Sequence, residues 1–303
     1  MGFEDVRSSP FPYIETIGTM VRRITSLGAA LILLAGPALP ASAQVAVFPT
    51  LDPSRWVRVE AGHPDVSETE RGPSTLSSAW FLTFTTPVPG DVVMVMEFPM
   101  AYMQDNGESS FALGNPYVGA RMQFYYTLLS EFEIGLRLPL APKTNDAMQY
   151  GLWADLADRA EAFMYQSLVL NLRAVRTFDL GWELGWRHDL HLDLAAGSIW
   201  WLMEGEEHTE QNAFLTYSGQ VRTRINALHL ATGASGRYSV LGRSTEQLAD
   251  ATHQWTTSAD LDIRGLRPGA FLLVPMTQPA IDRMGVTAGV RVLVPLGGRR
   301  LAR

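Results

Sequence analysis

The sequence has no cysteine. That excludes a disulfide scaffold, thiol catalysis and thiolate metal sites, but not export, because large exported proteins need no disulfides. It has no excess of basic charge: 24 Lys and Arg stand against 31 Asp and Glu, for a net charge of -7 and a pI near 5.4. Nucleic acid asks for a basic face and is excluded as a partner. Beyond residue 44 there is no uncharged apolar run long enough for a membrane helix. If the mature chain is integral to a membrane it must be a barrel, because only helices and closed barrels satisfy every backbone group in lipid.

What the sequence does have is a period-two alternation that returns in segment after segment. In Glu131–Leu140, Phe132, Ile134, Leu136, Leu138 and Leu140 share one side, opposite Glu131, Glu133, Gly135, Arg137 and Pro139. Successive strand side chains point to opposite faces, so this ribbon has one oily and one wet surface. In a soluble sandwich the oily face is the core, whereas in an outer-membrane barrel it meets lipid and the wet face lines the lumen.

Residues 20–44 read as an export signal. Met20 is followed by Arg22 and Arg23, an apolar run from Leu27 to Ala35, and Ala41-Ser42-Ala43 before Gln44. These are the basic, apolar and cleavage regions of a leader. The run is short of the ~20 residues a spanning helix needs, which argues against a retained anchor. The expected organisation is an extension and leader over 1–43, with translation starting at Met20, and a barrel domain over 44–303.

Twelve segments read as strands: Arg55–Ala61, Leu76–Thr86, Val92–Tyr102, Ala112–Phe124, Glu131–Leu140, Tyr165–Arg176, Leu180–Leu202, Ala213–Arg224, Leu228–Val240, Trp255–Arg264, Ala270–Met276, which is apolar throughout, and Gly285–Pro295. Leu180–Leu202 is too long for one crossing, so it either projects beyond the membrane or splits at a turn at His188-Asp189. Connections alternate between short (Pro87–Asp91, Tyr125–Ser130, Arg224–Ala227, Gly265–Pro268) and longer, more acidic ones (Gly62–Thr75, Met103–Ser110, Ala141–Ala162, Met203–Gln211, Gly242–Thr252). A barrel with short periplasmic turns and long external loops has this asymmetry, and a sandwich has no reason for it. Aromatics near segment ends, such as Tyr102, Phe124, Trp200, Tyr238 and Trp255, match interface girdles.

Chemistry-bearing constellations are sparse. None of the six histidines sits in a His-x-Ser arrangement, and His188 and His191 fall on opposite strand faces. No catalytic residue, metal site or cofactor is expected. The acidic run Glu204–Glu210 offers oxygen ligands without a calcium-loop spacing and reads as a solvated loop. Within Ala141–Phe163 the period shifts to about 3.6, with Leu152, Leu156 and Ala160 four apart. This predicts a short helix over Leu152–Glu161 that either constricts the barrel mouth or caps its rim.

Two stretches carry a resemblance. Gly114-Asn115-Pro116-Tyr117-Val118-Gly119 and Leu138-Pro139-Leu140-Ala141-Pro142-Lys143-Thr144 are similar to the Gly-Asp-Pro and Leu-Pro-x-Pro-Thr-Gly stretches of outer-membrane barrels linked to the meta-pathway of phenol degradation. Asn115 stands here in place of the acid, and Lys143-Thr144-Asn145 in place of Pro-Thr-Gly. The chain also ends in a basic tail after Leu296, where such barrels usually end in an aromatic residue read by the assembly machinery. The resemblance implies a transporter-like barrel for hydrophobic compounds.

The expected fold is therefore all-β, an antiparallel up-and-down transmembrane barrel of about twelve strands in the outer membrane of a Gram-negative bacterium. Arg121, Glu131, Glu133, Arg137, Arg173, Glu183, Arg187 and Arg222 are expected to line the lumen, with Leu152, Trp153 and Leu156 in a gating loop. The expected partners are outer-membrane lipid, the barrel assembly machinery and a small, hydrophobic or aromatic solute. The other reading is a structural or surface-interaction barrel plugged by its own salt bridges. Balanced lumen charge favours the plug, and one dominant sign favours an ion-selective pore.

Overall fold

The computed structural model describes residues 55–66, 77–105, 107–124, 128–143, 145–183, 186–201, 211–241, 251–282 and 284–296. The expected leader and the acidic run Glu204–Glu210 lie outside them.

Thirteen strand segments form one antiparallel sheet: β1 (Trp56–Val66), β2 (Ser78–Val88), β3 (Val92–Asp105), β4 (Glu108–Leu113), β5 (Tyr117–Gln123), β6 (Glu131–Arg137), β7 (Ser167–Glu183), β8 (Trp186–Trp201), β9 (Gln211–Ile225), β10 (Leu228–Leu241), β11 (Ala251–Leu261), β12 (Arg267–Pro275) and β13 (Met284–Pro295). Each pairs with its neighbour in sequence, except that β5 pairs with β3 and not with β4. The ring closes because β1 pairs with both β13 and β2, and β2 with β3. β4 and β5 lie end to end along β3, on Met100–Asp105 and Val92–Glu97 respectively. They therefore share one position, and the barrel has twelve.

The alternation sorts as a lipid-facing sheet demands. On β6, Ile134 and Leu136 are exposed while Glu133, Gly135 and Arg137 are buried. On β13, Val290 is 61% exposed and its neighbour Arg291 8%. Arg58, Glu60, Glu97 and Arg121 are inside, and Trp255 and Tyr238 outside. A soluble protein places these classes the other way round.

Five connections cluster at one end, with Arg55 and Leu296 beside each other there: Leu296 N–H donates to the Arg55 carbonyl at 2.6 Å. Two of these turns carry consecutive left-handed residues, Gly90-Asp91 and Arg264-Gly265, a backbone that matches the strand twist in tight hairpins. In an even-stranded barrel the end with the termini and the short turns is periplasmic.

Three expected segments are corrected. Ala112–Phe124 is two strands: Pro116 has no N–H for the ladder, and the Asn115 N–H turns inward to the Ala162 carbonyl at 2.6 Å. Leu180–Leu202 neither projects as one strand nor turns at His188-Asp189. Its first residues complete β7 and the rest form β8, so parity is kept. Met103–Ser110 is no long loop, because β3 and β4 pair up to Asp105 and Glu108.

Aromatic side chains lie across glycines on neighbouring strands, inside the wall. A β-carbon at Gly197 (β8) would overlap the Phe214 ring (β9), and one at Gly135 (β6) the Tyr117 ring (β5). Gly197→Val should therefore destabilise the barrel by ~1–3 kcal/mol through overpacking. The check is the temperature at which the fast-migrating, unboiled band is lost on a gel, which should fall.

Candidate functional site: a plugged, charged lumen

The segment joining β6 to β7 folds into the barrel. Helix α1 (Asp146–Ala154) starts where the Asn145 side chain accepts the Ala147 N–H at 2.8 Å, a helix cap. A 3-10 turn follows at Ala160–Phe163. Leu152, Trp153 and Leu156 are all buried, against strand residues that include Phe81, Ile199 and Phe214. The expected helix over Leu152–Glu161 is corrected. The chain leaves the helix at Asp155, whose carboxylate accepts the Asp158 N–H and the Arg159 guanidinium. The segment is also no rim cap.

Asn115 anchors the plug from the break between β4 and β5. Its Nδ2 donates to the Glu161 and Met164 carbonyls at 3.1 and 2.6 Å and to Ser167 Oγ at 3.1 Å. Its Oδ1 accepts the Ala141 N–H at 2.8 Å. An aspartate could not donate these bonds, which accounts for an amide at this position. Tyr150 adds a second anchor, its hydroxyl 2.8 Å from His63 Nδ1 and 3.1 Å from the Pro64 carbonyl.

Two charged side chains of the plug tie it to the wall. Arg159 meets Glu60 of β1 at 2.7 Å, its own Asp155 at 2.7 Å and Glu97 of β3 at 3.7 Å. Its guanidinium also lies 3.6 Å from the Phe81 ring centroid, a cation–π geometry. Burial alone would lower the pKa of Arg159, yet Glu60, Asp155 and Glu97 hold it well above the ordinary value. Glu161 accepts Arg237 of β10 at 2.6 Å and faces Arg137 at 3.8 Å. Arg137 also donates to Glu97 at 2.8 Å and to the Asn115 carbonyl at 3.0 Å. Gln254 of β11 donates to Asp155 at 3.2 Å, so the plug is fastened to opposite walls.

A second network lies along β5 to β8. Arg121 and Tyr117 both donate to Glu133, Glu131 is 3.9 Å from Arg121, and Arg173 pairs with Asp193. A cavity of about 90 Å³ separates it from the plug, with Asn171 and Thr216 in its lining.

Most of the expected lumen residues converge. Arg121, Glu133, Arg137 and Arg173 sit in these networks, with Glu131 at their edge. Arg222 lies lower, toward the periplasmic end. Arg187 is at that rim, 44% exposed, between Asp179 and Asp189. Glu183 ends β7, and its side chain is outside those described. Sequence reasoning missed Arg58, Glu60, Asn115, Asp155, Arg159, Glu161 and Arg237 as site residues. Arg58 and Glu60 were findable, because they alternate with Val57 and Val59.

Neither a family model nor a curated protein sequence matches this chain. The fold does have solved counterparts. The COG4313 outer membrane channel from Pseudomonas putida F1 aligns over 83% of this chain and 98% of its own, at 10% identity and a TM-score of 0.52. The chain has the fold of an outer-membrane β-barrel. The NanC porin and LpxR from Salmonella typhimurium align more loosely, over 79% and 80% of this chain and 100% of theirs, at 7% and 8% identity, both with a TM-score of 0.48.

Removing one member of a buried ion pair strands the other charge. Arg159→Met leaves Glu60, Glu97 and Asp155 facing one another and should lower stability by about 3–5 kcal/mol in denaturant unfolding followed by tryptophan fluorescence. Glu60→Gln added to it should recover part of the loss, since the two residues interact directly.

Proposed function

We propose that this barrel is a channel for small solutes that its own plug, residues 138–166, keeps closed at rest. The observation that carries this reading is how the plug is held. Its contacts to the wall are side-chain ion pairs and hydrogen bonds, apolar packing and, at the Asn115-Pro116 break, two backbone bonds that belong to no strand ladder, so it is able to leave without breaking the sheet. A wall element could not do so, because each lost backbone bond in lipid costs several kcal/mol. The Pseudomonas putida protein of similar fold is named as a channel, which agrees with this reading.

The solute class follows from two features. Phe81 and Phe214 of the wall and Phe163 of the plug belong to one buried apolar cluster. The Gly114–Gly119 and Leu138–Thr144 stretches resemble those of barrels linked to phenol degradation. Both support small hydrophobic or aromatic solutes. Export by a leader ending at Ala43 and insertion by the barrel assembly machinery belong to the same reading. The structural barrel remains the second reading, favoured by the balance of the charges around the plug: Arg58, Arg137, Arg159 and Arg237 against Glu60, Glu97, Glu161 and Asp155.

Single-channel recording in planar bilayers separates the two. The intact barrel should open rarely and with small conductance. Deleting Leu152–Glu161, or combining Arg159→Met with Glu161→Gln, should give frequent, larger openings. Closed behaviour of all three proteins, each folded by the gel criterion, would defeat the channel and leave the structural barrel.

A further inference from the structure

The periplasmic end of the lumen carries a charge imbalance for which the plug has no use. A cavity of about 270 Å³ opens there, between β1 and the wall from β7 to β13. Six guanidiniums line it: Arg58, Arg187, Arg222, Arg224, Arg267 and Arg291. Asp189 and Asp260 are the two carboxylates in its lining. Arg58 is met by Glu60 at 3.3 Å, and the other five guanidiniums stand against these two carboxylates in an open vestibule, an excess of positive charge below networks in which acid and base balance.

The nearby carboxylates are already engaged. Arg291 holds Asp260 through both ends of its guanidinium. Arg187 lies between Asp179 and Asp189. Asp262, the partner of Arg267, is 3.8 Å away and outside the cavity lining. Arg224 donates to a neutral acceptor, the Asn226 carbonyl, at 3.3 Å. Three buried nitrogens in this lining have no hydrogen-bond partner among the described residues: Arg291 Nη1, Arg267 Nε and His229 Nε2. A buried polar nitrogen without an acceptor is costly, and here several surround one volume.

The kind of cation is informative as well. Lys143 is the one lysine in the sequence, so the positive charge of this cavity is entirely guanidinium. Guanidiniums bind planar oxyanions through paired N–H bonds, and low-dielectric walls strengthen each contact. The volume is just below the ~300 Å³ at which drug-sized pockets begin, which selects a small ligand.

We propose that this vestibule is a binding site for a small free oxyanion, a phosphate or carboxylate of a few heavy atoms, at the periplasmic mouth of the barrel. Arg224, Arg267 and Arg291 supply the donors. The site goes beyond the channel reading and does not depend on it, because an anion binds here whether or not the plug moves.

The test is calorimetric titration of the folded, full-length barrel, in uncharged detergent at constant ionic strength, with inorganic phosphate and separately with acetate. At least one should bind saturably. Arg224→Gln and Arg267→Gln should each weaken binding about tenfold, the effect of losing one charge-assisted bond. Arg264→Gln, on an exposed turn outside the cavity, should leave it unchanged. Heats from both anions equal to those of sodium chloride would overturn the proposal. Equal weakening by Arg264→Gln would also overturn it, because the attraction would then be a diffuse surface effect. The readout is equilibrium binding, so its failure is distinguishable from a failure to conduct.

Discussion

A guanidinium taken out of bulk water has to be met by carboxylates, and that requirement decides where residues 138–166 lie. Glu60 and Glu97 project inward from β1 and β3 because strand alternation puts them there, and Arg137 and Arg237 do so from β6 and β10. The plug supplies what this ring lacks, Arg159 toward the two glutamates and Glu161 toward the two arginines. Buried pairs of this kind are weak evidence for net stability, but a single missing member is strongly destabilising. They therefore act more on position than on depth of the energy minimum.

The interruption at Gly114-Asn115-Pro116 gives the plug its entry. A continuous strand there would have spent its amides on the ladder. Instead Pro116 has none to give and the Asn115 amide bonds to the Ala162 carbonyl inside the barrel. β6 stops at Arg137 for a related reason, as the Leu138 N–H goes to the Pro116 carbonyl and Pro139 follows. The wall and the plug are thus one design, in which backbone groups lost to the sheet are recovered by the loop.

The barrel was legible in the sequence because period two is a local property. Ile134 and Leu136 opposite Glu133 and Arg137 required no knowledge of partners. Twelve positions also emerged, although two boundaries were misplaced where a strand breaks or two strands run into one apolar pattern. The lumen set was partly legible for the same reason, through Arg121, Glu133, Arg137 and Arg173. Arg159 and Glu161 were not, because they sit outside the alternation. Their importance comes from distant residues, Glu60 at 99 positions from Arg159 and Arg237 at 76 from Glu161, and nothing in local spacing carries that. The separation of balanced charge around the plug from excess charge below it was equally hidden, since it depends on height within the barrel.

The bond between Arg159 and Glu60 spans 99 positions of the chain, as does that between Gln254 and Asp155. One reaches back to the first strand and the other forward to one of the last. Contacts of such long reach form late, because the closure entropy of the intervening chain has to be met first. A barrel assembled without its first or last strands would hold the plug's charges in a dry interior with part of their complement missing. The plug's charges thus find their full complement only when strands from both ends of the chain, β1 and β11, are in place.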